Sequence, residues 1–428
     1  MRMPPDCNGH GGSQRAWHLV QALRPHGDVH FVLLYRNHDH DCVTTALELL
    51  APLVKSITRI EIPQWGGIQR RHRGVLHPGI GEFFKMRSHE APRFSSGQLA
   101  AIAAQLPILR PDLIFAGRLC AAVIAQALID RDLLARAERV VDFDDLMSKF
   151  RALQIRNSGA SLGRQGRMLA RLDTLLIARA ERRIAQGWRG ISVCTDEDVA
   201  ALRGIVPEAH AVKLPNIVNR DLLPARAPDG RFRMLFIGNL GFSANTAGLT
   251  AFLREIWPWL TKNIPDMTLD VAGINPPPAL AAELAALGIP LHANVPSVRP
   301  YYEACDVVIC PILFGSGTRI KILEAMAYGR PVVSTVVGAD GLGLRDGVEI
   351  LLAPDMRGFG EALLRLARDP ALRHAVAAQA RDFQQRHYGP EVIMDGVRDL
   401  LGPAGVGAEP RLWRLSHGIY GNTGRTAA

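Results

Sequence analysis

The sequence predicts an α/β protein whose strands form two doubly wound parallel sheets. Three observations point there. At 428 residues the chain exceeds one ordinary core and suits two units of roughly 200 residues. Short apolar runs alternate with helical patterns along most of it, the arrangement that builds βαβ units. Glycine-bearing loops follow several of those runs, at the strand ends where ligands of such sheets sit.

Composition narrows the function classes. Hydrophobic residues make up 48% and charged residues 21%, which excludes a disordered chain. The formal net charge of +9 favours acidic partners: nucleoside diphosphates, anionic lipid surfaces or nucleic acid. No zinc spacing or aromatic platform supports nucleic acid. The cysteines (Cys7, Cys42, Cys120, Cys194, Cys305 and Cys310) form no CxxC pair and read as reduced thiols of a cytoplasmic protein. No apolar run approaches the length of a membrane span and no signal-like segment opens the chain, so any membrane contact is expected to be peripheral.

Residues 1 to 12 hold Pro4-Pro5 and Gly9-His10-Gly11-Gly12 with no apolar run before them. A first strand is therefore expected to be confined to Met1-Arg2-Met3 or to be absent. After the glycines, Ser13 is a candidate N-cap, and Ala16, Leu19, Val20 and Leu23 recur at helical spacing. His18 on that helix reads as structural. Val29 to Leu34 is a β-branched and aromatic strand. A helix is expected over Val43 to Leu53, and the basic stretch Arg70-Arg71-His72-Arg73 lies in a region without period. Gln98 to Leu109 reads as helix, Leu113 to Ala116 as strand, and Gly117-Arg118 as a turn into the helix Leu119 to Ile129. Arg118 is then either at the ligand edge or an ordinary surface arginine.

The strand Val140-Val141-Asp142-Phe143 ends in an acidic cluster with Asp144 and Asp145. A strand-end carboxylate can enter a cleft and handle an acceptor hydroxyl, or cap the helix Leu146 to Leu153; Asp142 and Asp144 are the first candidates for the catalytic role. Arg164 to Arg183 is helical, with Met168, Leu169, Leu172, Leu175 and Leu176 as its apolar side and six arginines around the remainder. Such a helix either lies on an anionic membrane or turns a solvated face outward. Ile191 to Thr195 reads as the last strand of the first half. Pro224 to Gly230 has the composition of a linker, which sets a boundary near residue 220.

In the second half, Phe232 to Ile237 is a strand ending at Gly238-Asn239-Leu240-Gly241, and no Arg or Lys occurs from 238 to 248. Leu269 to Ala272 is another strand. Asp306 to Cys310 is an apolar run whose loop, Phe314-Gly315-Ser316-Gly317-Thr318, leads into the helix Arg319-Ile320-Lys321-Ile322-Leu323-Glu324-Ala325-Met326-Ala327. A glycine loop and a helix start make an anion site, because the first-turn N–H groups lack intrahelical partners. Thr318 is a candidate N-cap. Arg319 and Lys321 bring positive charge to the same mouth, and Glu324 follows one turn later. Two cations and then a carboxylate suit a ligand that carries a diphosphate and a diol.

The string Gly315-Ser316-Gly317-Thr318-Arg319-Ile320-Lys321-Ile322-Leu323-Glu324-Ala325-Met326-Ala327, with Gly329-Arg330-Pro331-Val332-Val333-Ser334-Thr335 and Gly338-Ala339-Asp340-Gly341-Leu342, resembles bacterial glycosyltransferase family 4 and its group-1 domain. The resemblance covers residues 13 to 401 and is strongest over 232 to 342. It implies a GT-B fold, two Rossmann-like domains facing a central cleft. Residues 1–220 would be the acceptor-side domain, 221–375 the nucleotide-sugar donor domain, 376–401 closing helices that brace the two, and 402–428 a tail.

The resemblance further implies retaining transfer of a sugar from a nucleotide-sugar to a glycan or lipid-linked glycan in surface-polysaccharide synthesis, in the cytoplasm or on the inner face of the membrane. The nucleotide-sugar is a substrate, so no cofactor and no metal are expected. Gly11 and Gly12 would approach the donor phosphate or sugar, or else belong to a mobile N-terminal tail. Gly238, Gly315, Gly317, Thr318, Arg319 and Lys321 would hold the diphosphate, with Arg319 and Lys321 also stabilising the leaving charge. Glu324 matches the second of the family's two glutamates, the one that holds the ribose; the first falls on Ser316. That departure, and the missing cations after Gly238, leave two other readings open: a degenerate glycosyltransferase acting as a binding or partner subunit, and a nucleotide-sugar epimerase of the same fold.

Overall fold

The apolar runs become parallel strands in sheets that part at the proline-bearing segment before residue 230. The computed structural model describes residues 11–35, 47–62, 90–92, 94–107, 110–158, 163–226, 229–295, 297–314 and 319–402. The expected first strand, residues 43–46, Arg70 to Arg73, Gly315 to Thr318 and 403–428 lie outside them.

The first half runs α1 (Gly11–Leu23), β1 (His30–Tyr35), β2 (Ser56–Glu61), α2 (Ser96–Ala103), β3 (Leu113–Gly117) and α3 (Leu119–Ile129). It continues with β4 (Glu138–Asp144), α4 (Met147–Ser158), α5 (Arg164–Gly187), β5 (Gly190–Val193), α6 (Asp196–Ile205) and β6 (Ala211–Lys213). β1 and β2 pair in parallel, and β3-β4-β5-β6 form a four-stranded parallel sheet.

Four local expectations are corrected. Ser13 lies inside the first turn of α1 rather than at its cap, because the helix already begins at Gly11. α2 ends at Ala103, short of Leu109; Ser95 starts it with a capping box to Gln98, and Pro107 cannot prolong it. Over the stretch expected as a helix ending at Leu53, residues 47–50 are α-helical and Ala51–Leu53 tighten into a 3-10 turn with Pro52. β5 is not the last strand of its sheet, since β6 adds an edge strand after α6.

The second half runs β7 (Phe232–Asn239), α7 (Ser243–Glu255), α8 (Trp257–Asn263), β8 (Met267–Ile274), α9 (Pro278–Ala286) and β9 (Leu291–Ala293). Then follow α10 (Arg299–Ala304), β10 (Val307–Cys310), α11 (Ile320–Ala327), β11 (Val332–Thr335), β12 (Leu351–Ala353), α12 (Met356–Arg368), α13 (Pro370–Tyr388) and α14 (Pro390–Leu401). Its parallel sheet has the order β12-β11-β10-β7-β8-β9. Winding reverses between β10 and β7, and ligands of such sheets sit at the carboxyl ends of those two strands. The core beneath is close-packed: Phe252 and Phe359 meet edge to face at 5.8 Å, worth about 1 kcal/mol beyond the area they bury.

Two devices join the halves. The turn after α11 needs Gly329, whose φ of 73° an L side chain rarely adopts, and a Cβ there would come within 2.5 Å of Leu222. Next to it, buried Arg330 donates from Nε to the Tyr302 carbonyl (2.7 Å) and from Nη2 to the Pro224 carbonyl (3.0 Å). The second device is the closing pair of helices. α13 holds the linker, with Gln384 donating to the Val218 carbonyl at 2.6 Å, whereas α14 packs on α1 through Ile393, Val397 and Leu400 against Leu19 and Leu23.

Candidate active site

The acidic strand end is where the first half is most constrained. β4 and β5 slip register between Asp142 and Asp144, and Asp144 takes φ 66°, a left-handed conformation costly for a residue with a Cβ. Arg118, at the end of β3, takes φ 75° and donates to Asp144 Oδ2 at 2.5 Å. Arg118 is therefore paired with a carboxylate at the strand end, with its side chain 31% exposed. Two strained residues bound to each other mark a built site.

Arg15 of α1 completes this network. Its Nη2 and Nε meet the two oxygens of Asp142 at 2.5 and 2.8 Å, and its Nη1 meets the Leu214 carbonyl at 2.8 Å. Ser192 Oγ donates to Asp142 Oδ1 as well, at 2.7 Å. Asp142 is 2% exposed with both oxygens occupied, which corrects its expected catalytic role. Asp144 is corrected likewise: Arg118 holds Oδ2, while Cys194 Sγ (2.9 Å) and Asn216 Nδ2 (3.3 Å) reach Oδ1. Burial works against the Asp144 carboxylate, but Arg118 and Arg15 outweigh it and hold its pKa below the ordinary value.

Asp145 is the member of the cluster that reaches open space. It lines a cavity of about 380 Å³ between the halves, with Lys149 and Phe150 of α4 on one side and Phe314, Arg319 and Asp340 on the other. Burial, with the charges of Asp144 and Asp198, pushes the Asp145 carboxyl up to about 7. The donor atoms of Asp144, Asp145 and Cys194 lie within 4.8 Å of one another. Asp144 is already paired with arginine and burial pushes the Cys194 thiol up, so the trio suits an ion network better than a metal centre.

On the second half, Lys321 and Arg319 serve different walls. Lys321 folds back to the end of β7: its Nζ is 2.8 Å from Asn245 Oδ1 and 4.3 Å from the centre of the Phe236 ring. A Cβ on Gly238 would lie 3.0 Å from that nitrogen, and Gly238 itself has φ 153°, so only glycine leaves the space. The ammonium thus occupies the point where winding reverses, beside the start of α7, and supplies the cation that residues 238 to 248 lack. Burial, reinforced by Arg319, pushes Lys321 down to about 8. Among the described residues no carboxylate stands within ion-pair distance of it. Arg319 faces the cavity instead; burial lowers its pKa, opposed by Cys310, Asp145 and Asp340. It occupies the cap position of α11, while Thr318, Gly315 and Gly317 lie outside the described residues.

Glu324 sits 8% exposed where the halves meet. Its Oε1 accepts from Arg220 Nη2 (3.0 Å) and Gln14 Nε2 (3.3 Å), and its Oε2 from the Tyr302 hydroxyl (3.4 Å). The first turn of α1, which Gly11 and Gly12 open, is thereby brought against α11. His18, one turn on, is pushed down to about 4 by burial and by Arg220, and stays neutral. Gln14, Arg15 and Arg220 escape sequence reasoning. The only signal for the first two is that Gln14, Arg15 and His18 interrupt the helix with polar groups on more than its solvent face.

Arg15 carries a testable load. Arg15→Met strands two buried carboxylates and is expected to cost about 3–5 kcal/mol, read as a lower urea midpoint at unchanged slope. Asp142→Asn keeps the size and some hydrogen bonds and should cost clearly less.

The chain has known relatives. Residues 231–369 match the family described as Glycosyl transferases group 1. An uncharacterized 44.6 kDa protein in the cps region of Klebsiella pneumoniae is 27% identical over 173 residues, 38% of this chain and 44% of that one. A D-inositol 3-phosphate glycosyltransferase of Actinosynnema mirum is 38% identical over 86 residues, 20% of each chain. The matches thus span less than half the length of these relatives. The Anabaena protein Alr3699/HepE, crystallised with UDP and glucose, superposes with TM-score 0.61 at 14% identity, over 94% of this chain and 97% of that one. Residues 231–369 of this chain are a group-1 glycosyltransferase domain, carried on the GT-B fold.

Proposed function

We propose that the chain transfers a sugar from a nucleoside-diphosphate sugar to an acceptor hydroxyl, with retention at the anomeric carbon. The observation that carries this is Lys321, a buried cation with no carboxylate partner among the described residues, at the switch point of the donor-side sheet. A charge taken out of water needs a counter-charge, and a diphosphate laid along the Gly238 turn and the start of α7 supplies one. As the glycosidic bond breaks, negative charge grows on the leaving diphosphate, where Lys321, the helix start and Arg319 stabilise it. In the cavity, Asp145 accepts the proton of the incoming hydroxyl, which enters on the face the diphosphate leaves.

UDP, the nucleotide crystallised with the Anabaena protein of this fold, is the first donor nucleotide to try. The acceptor is proposed to be a glycan or lipid-linked glycan of surface-polysaccharide synthesis, a reading supported by a relative from a cps region. Glu324 is proposed to exchange Gln14 or Arg220 for the ribose diol when donor binds. The alternative of a binding subunit shares the nucleotide site and differs only in turnover.

Calorimetry with UDP is the deciding experiment. Lys321→Ala should weaken UDP by roughly tenfold or more, the worth of a charge-assisted contact. Affinity for the intact chain should fall above pH 8, since Lys321 is protonated only below about 8. Unchanged affinity in the variant rejects the diphosphate site. Glu324→Gln should weaken UDP but weaken its 2′,3′-dideoxy analogue much less; equal losses would make Glu324 a purely structural residue.

The Asp145 assignment is read from turnover. The carboxyl is protonated below about 7, so kcat/KM should rise between pH 6 and 8, and Asp145→Asn should abolish that limb and lower kcat at least about a hundredfold. UDP affinity should survive the change. Full activity in Asp145→Asn would reject the role.

A further inference from the structure

Exposed helices of this protein normally pair their charges. Arg357 meets Glu361 on α12, Arg386 meets Asp382 on α13, and Arg398 meets Asp395 on α14. α5 departs from that habit. At 3.6 residues per turn, Arg164, Met168, Arg171, Leu175, Arg179 and Arg182 fall on one stripe about 80° wide and 27 Å long. All six are exposed, with Leu175 at 64% and Met168 at 48%. The acidic residues of α5, Asp173 and Glu181, lie off the stripe, and Glu181 is buried against Ser148 of α4. None of the stripe's four arginines forms an ion pair among the described residues.

From this arrangement we infer that the outer stripe of α5 docks on an anionic lipid surface. The four arginines match phosphate headgroups, and the two apolar side chains between them match the acyl boundary just below. A polyanion such as nucleic acid would satisfy the arginines and leave Leu175 and Met168 without a partner. Among the described residues no helix is long and apolar enough to cross a membrane, so attachment through α5 is peripheral. α4, packed along α5, contributes Lys149 and Phe150 to the interdomain cavity. α5 thus belongs to the same half as Asp145 and packs on the helix that walls the cavity; that docking delivers a lipid-linked acceptor rests on the proposed reaction, whereas docking itself does not.

Sedimentation of the full chain with vesicles tests the inference. At low salt the protein should pellet with phosphatidylglycerol-rich vesicles and not with pure phosphatidylcholine. It should be released as salt shortens the Debye length to about 3 Å near 1 M. Replacing Arg164, Arg171, Arg179 and Arg182 with Ser should lower partitioning by roughly 600-fold, about fivefold for each arginine at such a surface. Met168→Ser with Leu175→Ser should lower it by about tenfold or more at unchanged charge. Circular dichroism and UDP affinity, which do not depend on α5's outer stripe, report whether each variant is folded. Failure of the wild type to pellet at low salt overturns the inference. So does full binding by either folded variant, and binding to duplex DNA that ignores Met168 and Leu175 identifies a polyanion site instead.

Discussion

The first half depends on one buried guanidinium. Arg15 leaves α1 at 3% exposure and touches Asp142 on β4, lies 3.6 Å from Asp144, and reaches Leu214 and Asn216 at the start of the linker. Desolvating such a charge is expensive, and it persists because two carboxylates and a carbonyl enclose it. A hydrophobic cluster of the same volume would hold the helix on the sheet equally well. The ion network adds direction: it fixes which carboxylates of the β4 end are spent on structure, and so leaves Asp145 as the member of that cluster that meets the cavity.

The second half follows the opposite logic. There the charge is buried beside Asn245 and the Phe236 ring, and no carboxylate among the described residues pairs with it. Asn245 and the Phe236 ring steer the ammonium without neutralising it, and its lowered affinity for protons is the cost of waiting in that position. Arg319, two residues earlier, points into the cavity. Two cations separated by one residue thus part company, one at the sheet and one in the cleft.

How far the sequence could be read follows from this division. Strands such as Leu113–Gly117 and Val307–Cys310 were legible because buried parallel strands are short apolar runs with turn residues at their ends. Lys321 was legible as a cation after a glycine loop, but its reach to Gly238 was not, because the contact joins helix α11 to strand β7, which lies beside β10, the strand before α11, only in the folded sheet. Asp142, Asp144 and Asp145 look equivalent in a string. What separates them is the β4–β5 register slip and the positive φ of Asp144, neither of which leaves a pattern in composition or period. Arg15 was missed for a related reason, since a helix arginine is normally solvated and its burial is set by partners 127 and 199 residues away.

The two crossings between the halves lie side by side. Ile217 belongs to the core formed by α1 and α14, and the next residue, Val218, belongs to the core of the second half. On the return path Tyr388 is packed in the second half, Gly389 separates the helices, and Ile393 is packed in the first. The Val218 amide donates to the Tyr388 carbonyl at 3.2 Å, so the crossings are bolted together. A rotation of one half against the other would therefore turn about a single short axis through the 217–218 peptide and Gly389, a swing like that of a door on adjacent pins, with Val218 to Pro224 travelling with the second half.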